Sequence, residues 1–386
     1  MQIKFTAARG FCVENAISAQ LQGDELTVSL WYDSHEEPLR LRAKCAPDDR
    51  ATLVLRPYRV ELYIAQRLMD EEWPWGELRL RVEQLPAWVE ATDELPAEAP
   101  QPTVLRTFTD AEGWQPEENV FVGDCMPYVS DGRYHVLYLK DRHRHASKWG
   151  KGAHQWAHIS TEDFKLWQEH PMAVEIDDPN EGSICTGSYM QDGQRHILFY
   201  TVRTCDGSPA PIRRSVSADG YHFEKDKGFG FTLSEKYTGA SARDPKVVRG
   251  EDGLYHMFVT TTLRAEGLGC LAHLTSRDLD AWTEEEAPIY VAPAEGGEPE
   301  CSDYAAYGGR YYLIFSLHGV GQYRVSDQPF AGFREPKDAV IPCKSVPKCA
   351  QWQGKLVFAG FDGKGKYAGT LTLRDAAADA NGELVF

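Results

Sequence analysis

One phrase recurs along this chain at nearly constant spacing, and no other feature narrows the possible folds as much. It reads Asp131-Gly132-Arg133-Tyr134-His135-Val136-Leu137-Tyr138, and then Asp192-Gly193-Gln194-Arg195-His196-Ile197-Leu198-Phe199. It returns as Asp252-Gly253-Leu254-Tyr255-His256-Met257-Phe258 and Gly308-Gly309-Arg310-Tyr311-Tyr312-Leu313-Ile314-Phe315, with a weaker fifth copy at Gln353-Gly354-Lys355-Leu356-Val357-Phe358. The second residue of each copy falls at 132, 193, 253, 309 and 354, so successive steps are 61, 60, 56 and 45. Asp-Gly and Gly-Gly supply the positive φ of a tight hairpin, and the aromatic and β-branched run after each is a strand. A second phrase trails the first: Ser160 to Trp167, Ser217 to Phe223, Ser276 to Trp282, and a degraded Ser326 to Phe330. Ser-x-Asp before a large aromatic is a turn that closes an outer strand. A repeat of this period built from strands predicts an all-β protein whose main body is a five-bladed β-propeller. The repeats cover roughly 103–375, in a domain taken as 103–386.

Residues 1–93 alternate apolar and polar positions, as in Leu26-Thr27-Val28-Ser29-Leu30 and Val60-Glu61-Leu62-Tyr63-Ile64. Period two with both faces partly apolar predicts a small β-sandwich. Residues 94–102 hold three prolines and no hairpin signal, which predicts an extended linker.

Charge narrows the partners. With 41 Lys plus Arg against 58 Asp plus Glu, the chain carries a formal −17, which repels phosphate backbones and anionic lipid. Nucleic acid and membrane partners are therefore not expected, and a small neutral molecule such as a carbohydrate fits better. No run is apolar for the 18 residues a membrane span needs, and the first residues lack a continuous apolar stretch of the kind secretory signals carry. Nine scattered cysteines without a CxxC pair read as ordinary thiols, so the cytoplasm is the expected compartment. There is no Walker loop, and Gly228-Phe229-Gly230 is too little for a dinucleotide site, so no cofactor is expected.

Candidate chemistry comes from counting back along the predicted inner strands. Asp124 stands 8 residues before Gly132, Asp244 stands 9 before Gly253, and Glu300 stands 9 before Gly309. Acids that share register with a repeat should face the central channel at one depth, where like charges repel unless they are used. Three such carboxylates suit glycoside hydrolysis, whose oxocarbenium-like transition state is stabilised by prearranged negative potential.

The same segments resemble glycoside hydrolase family 32, the group that cleaves sucrose and fructans. Val122-Gly123-Asp124-Cys125-Met126-Pro127 stands where that family has Asn-Asp-Pro-Asn-Gly. Trp149-Gly150 and Trp156-Ala157-His158-Ile159-Ser160 resemble its Trp-Gly-His segment, and Thr186-Gly187-Ser188 its Ser-Gly-Ser. Arg243-Asp244-Pro245 matches its Arg-Asp-Pro, and Glu300-Cys301-Ser302-Asp303 resembles its Glu-Cys-Pro-Asp. The resemblance implies a retaining β-fructofuranosidase with Asp124 as nucleophile, Glu300 as acid/base and Asp244 as transition-state stabiliser. Retention would set the two reacting carboxyls about 5–5.5 Å apart, against about 6.5–9.5 Å for inversion.

The resemblance also implies that Arg243 bonds substrate hydroxyls or neighbouring carboxylates, and that Thr186 and Ser188 contact substrate. Gly123, Met126 and the Leu139-Lys140 pair depart from the family pattern, so the sugar accepted can differ, with Lys140 a candidate contact. Trp149, Trp156 and Tyr189 are expected as a stacking platform at the channel rim, and Trp167 and Trp282 as blade core. His143, His145, His154 and His158 form the densest histidine cluster, for which hydroxyl recognition and packing, not metal binding, are expected. Lys140 to His145 reads as a charged loop. Two other readings stay open: an inverting arabinofuranosidase or xylosidase on the same fold, and a non-catalytic carbohydrate-binding propeller.

Overall fold

The computed structural model describes residues 1–74, 76–96, 100–144 and 154–386. It divides into two compact units, one comprising Met1–Pro100 together with Ile176–Gly182, the other Gln101–Arg144, His154–Glu175 and Ser183–Phe386. Among the described residues there is no α-helix, and no helix is long and apolar enough to cross a membrane.

In the first unit two antiparallel sheets enclose one apolar core. Gln2–Thr6, Arg50–Leu55, Val60–Ile64, Arg67–Glu72 and Glu90–Thr92 form one sheet; Phe11–Val13, Ile17–Gln22, Glu25–Leu30 and Leu39–Lys44 form the other. The period-two pattern explains the sandwich. Ile3, Phe5, Leu53 and Leu62 point inward from one sheet, and Ala19, Leu26, Val28 and Leu41 from the other, all within one cluster.

The second unit is built from five antiparallel sheets, one per repeat. Their inner strands are Val120–Ser130, Glu181–Asp192, Arg243–Arg249, Glu300–Tyr307 and Ser345–Trp352, each at the edge of its sheet. The recurring glycines do what the sequence requires: Gly132, Gly193, Gly253, Gly309 and Gly354 all have positive φ at the hairpin following an inner strand. Neighbouring sheets pack face to face. Phe199 of blade two shares a core with Met257 of blade three, Phe258 of blade three with Phe315 of blade four, and Ile314 of blade four with Phe358 of blade five. Val136 and Trp167 of blade one pack with Val357 and Leu371 of blade five, and Tyr128 of blade one stacks on Tyr189 of blade two, so the ring closes. At that seam Val122 and Gly369 exchange two backbone hydrogen bonds of 2.9 Å.

The second phrase is a side-chain-capped turn, shifted by one residue in blade one. Asp219 Oδ1 accepts from the amides of Tyr221 and His222 at 2.9 and 2.8 Å, and Asp278 Oδ1 accepts from Asp280 and Ala281, both at 2.9 Å. Ser217 and Ser276 supply the accompanying hydroxyl oxygen, accepting from Gly220 and Leu279 at 3.0 and 2.9 Å. In blade one that hydroxyl is Thr161, not Ser160, with Asp163 as the carboxylate. Such turns let the backbone reverse without leaving its amides unpaired.

The inner strands of blades one, three, four and five share one more regularity, in the register of their ladders. Val122 faces Lys140 and Cys125 faces Tyr138, so Gly123 and Asp124 together oppose one residue, Leu139. The same two-against-one slip sets Asp244-Pro245 against Val259, Cys301-Ser302 against Phe315, and Val346-Pro347 against Gly360. Asp244, Cys301 and Val346 have φ of 58°, 53° and 47°, a conformation non-glycine residues adopt at a cost of order 1–3 kcal/mol. A bulge re-aims the side chains beside it, and all three predicted acids lie at these bulges.

Candidate active site

Two of the three carboxylates meet at Cys301, and Arg243 joins the third, Glu300, to them. The Cys301 amide donates to Asp244 Oδ2 at 2.9 Å, its thiol donates to Asp124 Oδ2 at 3.3 Å, and Glu300 precedes it in the chain. The depth is not identical, however. Glu300 is the last paired residue before its bulge, Asp244 is the first residue within its bulge, and Asp124 is the second. Asp124 and Asp244 are buried, whereas the Glu300 side chain is about one-third exposed.

Hydrogen bonds fix both oxygens of Asp124. Thr186 Oγ1 donates to Oδ2 at 2.6 Å, sharing it with Cys301, and the Tyr367 hydroxyl donates to Oδ1 at 3.0 Å. Arg243 ties the other acids together. Its Nη2 is 3.0 Å from Glu300 Oε1, its Nη1 2.5 Å from Glu298 Oε2, and its Nε 3.6 Å from Asp244 Oδ2. Burial opposes the charge on Arg243, but Asp244, Glu298 and Glu300 outweigh it and raise its pKa. Burial and the neighbouring Asp124 and Asp244 push the Cys301 thiol well up, so it serves as a neutral donor and not as a nucleophile.

A charged layer lies on the inner strands just past the bulges. Lys246 Nζ is 2.5 Å from Asp303 Oδ1, Cys349 N donates to Asp303 Oδ2 at 2.7 Å, and buried Lys348 donates to the Gly187 carbonyl at 2.8 Å. Gly187 must be glycine, since a β-carbon there would lie 1.9 Å from the Phe199 carbonyl oxygen. Lys246, Asp303 and Lys348 stand 7, 6 and 6 residues before their hairpin glycines, a register from which sequence counting could have found them. Tyr367 carried no such signal.

Several expected substrate contacts are placed elsewhere. Trp156 is fully buried and spends its indole N–H on the Cys185 carbonyl at 2.9 Å, so it is core and not a rim platform. The reason is that its strand, Gln155–Thr161, is covered on both faces. Tyr189 stacks on Tyr128 at 3.8 Å, and its hydroxyl is 2.7 Å from His196 Nδ1. The Ser188 hydroxyl braces blade two to blade three, donating to the Pro245 carbonyl at 2.8 Å and accepting from Val247 N at 2.9 Å. Met126, where the resemblance has asparagine, accepts the Gly187 amide on its sulfur at 3.2 Å. Lys140, Asp141 and Arg142 extend the strand Arg133–Arg142 instead of opening a loop. Trp149 and His145 lie outside the described residues. Trp167 is buried core as expected, and Trp282 packs half-buried against the core of blades two and three.

The histidines separate. His154 Nε2 sits 3.1 Å from Asp141 Oδ2, whereas His158 joins His135, His170 and Tyr128 in a buried cluster. His135 Nδ1 and His158 Nε2 are 3.0 Å apart, and His170 is 2.7 Å from the Ser160 hydroxyl. Among the described residues no group of three or more His, Cys, Asp or Glu is arranged to hold a metal ion. Burial, reinforced by neighbouring His170, lowers His135 to about 3, and burial lowers His170 to about 4. Both stay neutral in the fold but charge near 6.5 when unfolded, so the unfolded state binds more protons between those values. Stability is therefore complete above pH about 6.5 and falls as pH drops towards 4, by roughly 2–3 kcal/mol per histidine. Urea midpoints between pH 8 and 4.5 check this: the destabilisation caused by His135→Phe should stay constant down to about pH 6.5 and shrink below it.

Comparison with known proteins supplies the family. Residues 113–342 match the N-terminal domain of the glycosyl hydrolases family 32. The chain belongs to family 32. Among curated family 32-like relatives, the sucrose-6-phosphate hydrolase of Escherichia coli is 29% identical over 216 residues, covering 54% of this chain and 42% of that protein. The Bacillus subtilis sucrose-6-phosphate hydrolase is 33% identical over 199 residues, covering 48% and 40%. The chain thus spans about two-fifths of the length of these relatives. Its fold is shared with fructan 1-exohydrolase IIa from Cichorium intybus, at a TM-score of 0.58 and 18% identity, over 72% of this chain and 60% of that one.

Proposed function

We propose that this family 32 chain hydrolyses the fructosyl bond of sucrose or short fructo-oligosaccharides with retention of configuration. The observation that carries the reading is the joining of Asp124, Asp244 and Glu300 through Cys301 and Arg243. In this mechanism an Asp124 oxygen attacks the anomeric carbon of the fructosyl unit while protonated Glu300 gives its proton to the departing oxygen. Glu300 then takes a proton from water, which attacks the same carbon and frees Asp124. Asp244, fixed by the Cys301 amide, offers negative charge to the oxocarbenium-like transition state. Arg243, Thr186 and Cys301 hold the carboxylates in place. The named activity of the relatives extends the candidate substrates to sucrose-6-phosphate. Nine free thiols fit a reducing compartment, and we place the reaction in the cytoplasm.

Sucrose, sucrose-6-phosphate, 1-kestose and nitrophenyl arabinofuranoside, offered separately, test the proposal. Fructose released first as the β-anomer, followed by NMR, supports it. Arabinose release with inversion, or sugar binding without turnover, would replace it.

A further inference from the structure

We infer that Tyr367 is a positioning residue for Asp124, its hydroxyl standing in the space that a side chain at position 123 would occupy. The inference rests on the function proposed above. Tyr367 lies in the turn between the blade-five strands Lys355–Asp362 and Thr370–Ala378, and reaches across the ring seam into blade one. Its hydroxyl donates to Asp124 Oδ1 at 3.0 Å, while Thr186 and Cys301 occupy only Oδ2. A β-carbon at Gly123 would lie 2.8 Å from that hydroxyl and 2.9 Å from the Leu139 carbonyl oxygen. A side chain at 123 and the tyrosine hydroxyl therefore exclude one another.

The placement is braced from several sides. Gly369, two residues after Tyr367, makes paired backbone bonds with Val122, two residues before Asp124. The Tyr367 ring stacks on His154 at 5.2 Å and 27°, meets Phe361 edge-on at 5.3 Å, and His154 is itself tied to Asp141 at 3.1 Å. Without the hydroxyl, the Asp124 carboxylate is held at one oxygen only and can pivot about it. A nucleophile loses rate steeply when its attacking oxygen leaves the reactive geometry.

Tyr367→Phe keeps the ring, its stack and its volume. It should lower kcat by about 10–100-fold, the value of one hydrogen bond to a charged group, with KM changed less than about 2-fold. The melting temperature should stay within a few degrees. A crystal structure of the variant should show the Asp124 carboxylate rotated. Wild-type kcat, or reduced activity with Asp124 unmoved and a large fall in melting temperature, would overturn the inference. Should the wild-type chain cleave no fructoside, the functional reading falls while the crystallographic comparison still decides whether Tyr367 orients Asp124.

Discussion

Asp124→Ala is expected to remove fructosyl hydrolysis almost entirely, by about 10⁴–10⁶-fold in kcat, because no other group stands ready to form the covalent intermediate. Thr186, Cys301 and Tyr367 all aim their hydrogens at Asp124. With alanine there, three donors face a small void. That void suggests the check. A small anion such as azide can enter it, attack the same carbon and restore turnover, yielding the fructosyl azide of inverted configuration. Recovery of rate with azide, absent in wild type, identifies Asp124 as the nucleophile. Full activity of the alanine variant without azide rejects the mechanism.

Glu300→Gln is the second large effect. Loss of the general acid should slow sucrose cleavage about 10²–10⁴-fold. The loss should depend on the leaving group, since a nitrophenolate departs without a proton whereas a glucose oxygen does not. Glu300 is the most exposed of the three acids, as a group that meets both leaving group and water must be. Measured side by side, sucrose should suffer far more than a nitrophenyl fructoside. Equal losses on both would point to a structural role, because Arg243 would then have lost its partner at 3.0 Å.

The hairpin glycines made the propeller legible, since a positive φ every 45 to 61 residues leaves few alternatives. The acids were legible as a group because they keep step with those glycines. Their order in depth was not. Counting along one strand cannot see a bulge, which adds a residue to that strand alone, so Asp124, Asp244 and Glu300 count alike yet sit at successive positions. Trp156 was misplaced for a related reason: a strand inside a blade has neighbours above and below, and its aromatics are consumed by packing. The Ser160 frame was off by one because Ser160 and Thr161 are adjacent hydroxyls, and only hydrogen bonding separates them. Tyr367 contacts Asp124 from 243 residues away, in a turn with no periodic pattern, so nothing local marks it.

The register slip shared by four blades has a wider consequence. Below it the ladders run unbroken and hold the ring together; at it, each blade presents a pair of residues freed from strict pairing. Architecture and chemistry are thereby assigned to different stretches of the same strand. Blade five has the same slip with Val346 and Pro347, where blades one and three carry Asp124 and Asp244. Exchanging Val346 would bring a new side chain to that level of the ring only at the expense of its packing on the core between blades one and five.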